Sequence, residues 1–357
     1  MHRVRSYVLR RFDVELDRTI GDSQVSTRYL SLGVIELEDD AGHVGTGFFH
    51  SVTHPLPSLP ELQAQFSREL DERVIGASPF AWVNRLERPR GGNIRASIFH
   101  PGVEQAMWDL QGQILDLPLY RVLGGDRDRV PAYASGLEFH LDDDDATAFY
   151  ARARDAGFST FKVKVGHPDI EWDIRRLQLV QKVVGAECRL MADANEAWSP
   201  KEAIRRLHAF RDAAVPLYWI EDPCLRDDVD GLRSTSRALP DVLVNGGEYL
   251  DLSGKRRLIE RHAVDVVNIH GSISEALKIG WLAAEHGLPV AVGNTNFEVG
   301  VHIAAALPEV AWTEYSFLSY NHLIDTPIEF RDGYALLPDR PGHGLELAAS
   351  ARGESAS

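Results

Sequence analysis

From about residue 130 onward the chain alternates short apolar runs with amphipathic stretches. The apolar runs predict strands at about 130–135, 159–165, 188–193, 217–221, 242–246, 265–269, 289–293 and 311–316, with helices filling most gaps. Strands this short and nearly all apolar belong to parallel sheets covered on both faces. Eight of them alternating with helices predict an α/β barrel. One helix start is well marked: Ser199-Pro200-Lys201-Glu202 supplies an N-cap serine, proline at the first helical position and glutamate at the third. An open doubly wound sheet is the alternative. No GxGxxG follows any predicted strand and no GxxxxGK[ST] occurs, so its nucleotide-binding versions lose their usual support.

The first third has a different rhythm. RSYVLRRFDVEL, LSLGVIELED and VGTGFF alternate as β segments, the second closed by the turn Asp39-Asp40-Ala41-Gly42, and predict a small antiparallel sheet. Helices are predicted over 60–70, 79–86 and 103–115, the last from the spacing of Val103, Ala106, Met107, Leu110 and Ile114. GHVGTG, residues 42–47, has glycine spacing reminiscent of a phosphate loop but falls in a predicted hairpin, where a turn is the better reading.

Bulk properties narrow the partners. The 357 residues are 44% hydrophobic and 25% charged, enough for two domains and a large core. A formal net charge of −15 with no basic tract excludes nucleic acid and anionic membranes as natural partners. An anionic substrate then requires local positive charge, from inward lysines or a bound cation. Two cysteines, Cys188 and Cys224, form neither a disulfide framework nor a zinc knuckle. With no signal-like or membrane-spanning run, a cytoplasmic location is expected. The small, polar last residues are expected to be loose.

In FKVKVG, residues 161–166, strand alternation sends Lys162 and Lys164 to one face and Phe161, Val163 and Val165 to the other. Ammonium groups about 6–7 Å apart along a strand repel unless something opposite compensates. Barrel enzymes keep their chemistry at the C-terminal ends of the strands. Strand two ends with the lysines, strand three with Asp193 and Asn195, strand four with Glu221, strand five with Glu248, and strand six with Asn268 and His270. Lys164, Asp193, Glu221, Glu248 and His270 follow at intervals of 29, 28, 27 and 22 residues, each near one βα unit, which predicts similar heights on one rim. Converging carboxylates are relieved by a hard divalent cation, and an all-oxygen set of two Glu and one Asp favours Mg²⁺ over zinc. The lysines are expected to face that cluster across the barrel. Taken singly, each residue also fits a solvated strand face or a turn; the ordered series points to chemistry.

The chain resembles the enolase superfamily, and within it the mandelate racemase-like group of acid-sugar dehydratases and racemases, over nearly its whole length. The resemblance rests on KVK, DAN, WIEDP, GGE, the closing DRPGHGLEL and the helix VEQAMWDLQGQILDLPLYRVLGG. It implies an α+β cap over residues 1–125, a modified (β/α)7β barrel (a modified TIM barrel) over 126–325, and a segment over 326–357 that returns to the cap. It also implies Mg²⁺ on Asp193, Glu221 and Glu248, Lys162 stabilising an enolate, and Lys164 as the base that takes the proton α to a carboxylate. Lys162 and the cation are expected to lower the Lys164 pKa towards neutrality.

The pattern has departures. Relatives carry an Asp–His dyad at the ends of strands six and seven, where this chain has His270 and Asn294. Two-base racemisation loses a partner, so dehydration of a sugar acid to a 2-keto-3-deoxy acid is expected first. Racemase, epimerase or cycloisomerase chemistry is the alternative. His270 is then a replacement acid or base, a substrate hydrogen-bond donor, or a structural imidazole. Asn195 and Asn294 are substrate-binding candidates, and Glu298 matches a family glutamate that contacts the substrate carboxylate end. His302 is expected to be structural. Cap loops near 19–29 and 48–54 are expected to set specificity, with Arg28, Tyr29, His50 and His54 as candidates beside the plain reading as surface groups. The resemblance implies a small anionic substrate and a homo-oligomer. A metal-binding barrel without turnover is the rival from another class; a pure binder has no need of Lys164.

Overall fold

The computed structural model describes residues 2–52, 54–82 and 97–353. Three antiparallel strands, β1 (Val4–Gly21), β2 (Ser26–Asp39) and β3 (Val44–Ser51), open the chain in the order β1-β2-β3. β1 and β2 outrun their predicted lengths because their ladder resumes after an irregularity between Glu15 and Ile20 and continues to Gly21 opposite Ser26. One end of the sheet packs on α1 (Leu59–Val74) and α2 (His100–Leu115) through Ile35, Leu37, Phe66, Val103 and Leu110. The other end, through Leu16, Ile20 and Leu30, joins the core of the barrel. The predicted helix over 79–86 is a 3-10 turn at Pro79–Ala81; residues 83–86 lie outside the described residues, as do Thr53 of the second cap loop and the last four residues of the tail.

The glycines of GHVGTG have a packing role. A Cβ on Gly45 or Gly47 would collide with the backbone oxygen of Ala106 or Gly102 in α2, so these positions let strand and helix backbones touch.

The barrel strands are β4 (Arg129–Ser135), β5 (Thr160–Lys164), β6 (Arg189–Asp193), β7 (Trp219–Glu221), β8 (Leu243–Gly246), β9 (Val266–Ile269), β10 (Val290–Val292) and β11 (Val310–Tyr315). Each pairs in parallel with its neighbour, and β11 closes the ring on β4. Helices follow β4 through β10, the (β/α)7β arrangement. The predicted cap at Ser199 is present, its hydroxyl accepting from the Glu202 N–H at 3.3 Å. After β11 the chain makes a hairpin, β12 (Glu329–Arg331) and β13 (Tyr334–Leu336), that lies antiparallel to the start of β4. It then returns to the cap, where the His343 N–H donates to Asp109 Oδ1 at 2.7 Å and its ring Nε2 to the Thr46 carbonyl at 2.9 Å.

Strand parity positions the site. Phe161, Val163 and Val165 face outward into the helix-covered core. The inward positions form an apolar lower layer of Tyr133, Met191, Trp219, Val266 and Ala291. Towards the C-terminal rim the same alternation delivers Lys162, Lys164, Asp193, Glu221, Asn245, Asn268 and Glu314, all buried.

Candidate active site

A cavity of about 550 Å³ lies between the barrel rim and the cap, with Lys162, Lys164, Asn195, Glu248, His270, Asn294 and Glu314 among its walls. The cap closes it through the turn between β1 and β2. Gly21 N–H donates to the Leu137 carbonyl at 2.8 Å, and the Gln24 side-chain amide donates to the Asn195 carbonyl. Seven of the eleven non-glycine residues with positive φ among the described residues sit in loops after barrel strands, Asn195 and Asp222 among them. Such backbone is held against local preference where geometry matters.

Lys162 Nζ lies 3.1 Å from Glu221, 3.1 Å from Glu314 and 3.3 Å from Asp193, and 5.4 Å above the Tyr133 ring. Lys164 Nζ donates to Asp193 Oδ2 at 2.7 Å and to Asn195 Oδ1 at 2.8 Å. Both oxygens of Glu221 also accept from amides, Asn245 at 3.1 Å and Asn268 at 2.9 Å. The lysines therefore do not stand across the barrel from the carboxylates as predicted; they are in direct contact with them.

Electrostatics follow from that contact. In the protein alone, burial and Lys162 act to lower the Lys164 pKa, but Asp193, joined by Glu248 and Glu314, outweighs them and the ammonium is held above its ordinary value; the predicted lowering belongs to the site with its cation. Asp193 reads the same contact from the other side; burial opposes, yet Lys164 and Lys162 pull it down to about 2. Burial pushes Glu221 and Glu248 up, and neighbouring carboxylates add to the push. Four buried carboxylates share two ammonium groups.

That imbalance is the test of whether a divalent cation fits. Asp193 and Glu221 end adjacent strands and Glu248 lies two residues past the next; all are oxygen donors and carry negative charge that the lysines do not fully offset, which suits Mg²⁺. Lys162 sits between Asp193 and Glu221. Among the described residues only His2, Asp39 and His43, in the cap, bring three donor atoms within 4.8 Å of one another.

The remaining predicted residues divide. Asn195 is buried at φ +44° with its carbonyl amide oxygen on Lys164, and Asn294 lines the cavity, its backbone N–H donating to Glu314 at 3.2 Å and its side-chain amide to Ser316 at 3.1 Å. His270 lines the cavity edge-on to Tyr249, with ring centroids 5.2 Å apart and Nδ1 unpartnered. Burial, with Lys255 and Arg226 nearby, lowers it to about 4, which favours the neutral imidazole near pH 7 and, of the predicted roles, a base or hydrogen-bond donor over an acid. His50 reaches the cavity from the end of β3, exposed at the mouth yet crowded by protein; desolvation and His270 lower it to about 4. Glu298 is not brought to the cavity. It sits in the turn after β10 with φ +58°, and burial raises it to about 8. Arg28 points away, 53% exposed and 3.4 Å from Glu15, and neither Tyr29 nor His54 lines the cavity. His302 is structural as expected, accepting from the Tyr120 N–H at 3.3 Å and donating to the His343 carbonyl at 3.1 Å.

Glu314 was not singled out from the sequence, although AWTEYS ends strand eight at the same rim position as the other acids. Asn245 and Lys255 were also missed. Lys255 holds the carbonyls of Gly247, Glu248 and Leu250, the last two at 2.9 Å each, and so braces the loop that carries Glu248.

The family profile for the enolase C-terminal domain-like fold matches residues 145–351. The chain belongs to the enolase superfamily. It is 35% identical over 336 residues, 89% of this chain and 81% of the relative, to L-talarate/galactarate dehydratase of Salmonella typhimurium. A 3,6-anhydro-alpha-L-galactonate cycloisomerase of Streptomyces coelicolor is 28% identical, covering 88% of each chain, and an L-Ala-D/L-Glu epimerase of Bacillus subtilis 26%, covering 90% of each. A crystal structure from Mesorhizobium loti, named for mandelate racemase, superposes with TM-score 0.95 at 47% identity, covering 99% of this chain and 95% of that one. The L-talarate/galactarate dehydratase variant crystallised with Mg and L-glucarate superposes at 0.86 with 28% identity, over 100% of this chain and 92% of its own. Enolase superfamily relatives thus include dehydratases, epimerases and cycloisomerases, and structural neighbours hold magnesium. No helix among the described residues is long and apolar enough to cross a membrane.

Proposed function

We propose that this enolase superfamily member abstracts the proton α to the carboxylate of a small hydroxy acid, and that the reaction is dehydration of a sugar acid to its 2-keto-3-deoxy product. The observation that carries the reading is Lys164 Nζ, fixed by Asp193 at 2.7 Å and Asn195 at 2.8 Å on the floor of the cavity beside a second lysine. Magnesium, held by Asp193, Glu221 and Glu248, would supply positive charge to those acids and to the substrate carboxylate. With Asp193 and Glu248 neutralised, burial and Lys162 lower the Lys164 pKa towards a usable base, and Glu314 alone among those acids still raises it. Lys162 donates to the substrate carboxylate and stabilises charge as it gathers there.

In the elimination, the Cα–H electrons first pass into the carboxylate as an enolate and then form the Cα=Cβ bond as the Cβ–O bond breaks. The α-proton goes to Lys164, whose ammonium returns one to the departing hydroxide, and the enol tautomerises to the 2-keto-3-deoxy acid. Asn294, an amide at the end of β10, cannot accept a proton, which disfavours a two-base racemase of the dyad type. Epimerisation remains the second reading on one observation: β5 and β9 stand four strands apart in a ring of eight, so Lys164 and the neutral imidazole of His270 occupy opposite walls.

The test is α-deuterium exchange in D2O with Mg²⁺ across hydroxy and sugar acids. Exchange and keto-acid formation that disappear in Lys164→Ala support the reading. A panel without exchange or turnover favours the noncatalytic metal-binding module. Exchange with inverted substrate and no keto acid, lost also in His270→Asn, selects the epimerase.

A further inference from the structure

The cavity is charged at one end. Among the described residues, the ammonium groups that line it are Lys162 and Lys164, both on its floor. Its outer half is built from Ile20, Val25 and Leu30 of the cap, Val52 beyond β3, and Leu137 and Leu318 beyond β4 and β11. The carboxylate in that half is Asp22, whose Oδ1 accepts from the backbone N–H groups of Gln24 at 2.7 Å and Val25 at 3.1 Å. Among the described residues no arginine lines the cavity. Arg28 pairs with Glu15, and Arg226 lies behind the Tyr249 ring at 4.8 Å, engaged with Glu196 at 2.9 Å and Asp222 at 3.2 Å. The two cavity imidazoles, His50 and His270, are lowered to about 4 and carry no charge near neutrality.

A substrate whose carboxylate is drawn to the lysine floor presents its far end to apolar side chains, neutral hydrogen-bonding groups and Asp22. A second carboxylate there would lose water without meeting a cation and would face a like charge. We infer that the substrate is a monocarboxylic hydroxy acid whose far end is uncharged and carries apolar carbon, as a deoxy or alkyl terminus does, rather than a diacid. The inference rests on the reaction proposed above for which end binds the floor.

Matched sets of hexonate, 6-deoxyhexonate and hexarate of common configuration test it on the full-length wild-type protein with Mg²⁺, read by ligand-induced melting shift and by α-deuterium exchange. The monoacids, the deoxy form foremost, are expected to raise the melting temperature more than the hexarate and to show at least tenfold higher kcat/KM. Hexarates that bind and react as well as or better than the monoacids overturn the inference while leaving the enolate chemistry standing. Monoacids that bind preferentially but never exchange overturn the chemistry and leave the inference standing. A set in which the monoacids produce no melting shift counts against the inference. Val25→Arg, at an exposed side chain on the cavity wall, is expected to shift the ratio at least tenfold towards the hexarate; an unchanged ratio places the far end of the substrate elsewhere and overturns the assignment.

Discussion

Glu314 Oε1, on the last barrel strand, lies 3.1 Å from Lys162 Nζ on the second, so the ring of charge at the rim is closed from both sides of β4. Lys162 is thereby shared among three acids rather than drawn wholly onto the expected metal ligands. Glu314→Gln keeps size and the hydrogen bond from Asn294 but removes the charge. Lys162 then settles on Asp193 and Glu221, and its donation to substrate weakens. We expect kcat/KM to fall by about 10–100-fold with little change in melting temperature, consistent with removing one preorganised electrostatic contact. Steady-state kinetics with unchanged activity would make Glu314 a bystander.

The excess of buried carboxylate at the rim predicts metal-dependent stability as well as activity. Chelation with EDTA should abolish turnover and Mg²⁺ restore it. Because the cation binds the folded state, Mg²⁺ at a hundred times its Kd should stabilise by about 2.7 kcal/mol, read as a rise in melting temperature. Glu221→Gln should raise the Mg²⁺ concentration needed for half that rise. Activity indifferent to chelation removes the metal from the mechanism.

Lys255 never reaches the cavity, yet its ammonium gathers three carbonyls from the loop bearing Glu248. Lys255→Met fills the same space and leaves those carbonyls without a donor. Destabilisation of about 2–3 kcal/mol is expected in denaturant unfolding. Calorimetric titration should show Mg²⁺ affinity weaker by about tenfold, the usual scale for losing a residue that orients a ligand. A loss of stability with Mg²⁺ affinity intact would limit Lys255 to scaffolding.

Period and spacing carried most of the barrel. All eight strands fall within about two residues of their predicted places, because a parallel strand buried on both faces is a short apolar run whatever surrounds it. The acids that end β6 and β7 and the one just past β8 were legible for a related reason: each closes or directly follows such a run. Glu314 had the same signature but no place in a series followed only to strand six. What the sequence did not disclose was reach. Arg28 and Glu298 sit in segments that border the cavity, but Arg28 turns outward to Glu15 and Glu298 is taken into the turn after β10 by a left-handed backbone. The sign of the Lys164 shift was also out of reach, since it depends on whether Asp193 lies against the lysine or against a cation.

His302 offers a pH test away from the rim. Its ring accepts from the Tyr120 N–H and donates to the His343 carbonyl, an arrangement only the neutral imidazole satisfies, and burial with His343 nearby lowers it to about 3. An unfolded imidazole takes up its proton near pH 6.5, the folded one near pH 3. The unfolded state therefore binds more protons across that window, and stability contributed by His302 is present above pH 6.5 and lost as pH falls towards 3, on the order of 5 kcal/mol in all. Glu298, raised to about 8, and Asp222, raised to about 7, act in the opposite sense, so the total curve mixes both. His302→Gln isolates the histidine: its amide can accept and donate as the ring does but does not titrate. We expect the variant to be about 1 kcal/mol less stable than wild type near pH 7, with the gap closing and reversing as pH is lowered from 6.5 towards 4 in urea unfolding. Parallel curves over that range would mean that His302 is protonated alike in the folded and unfolded chain.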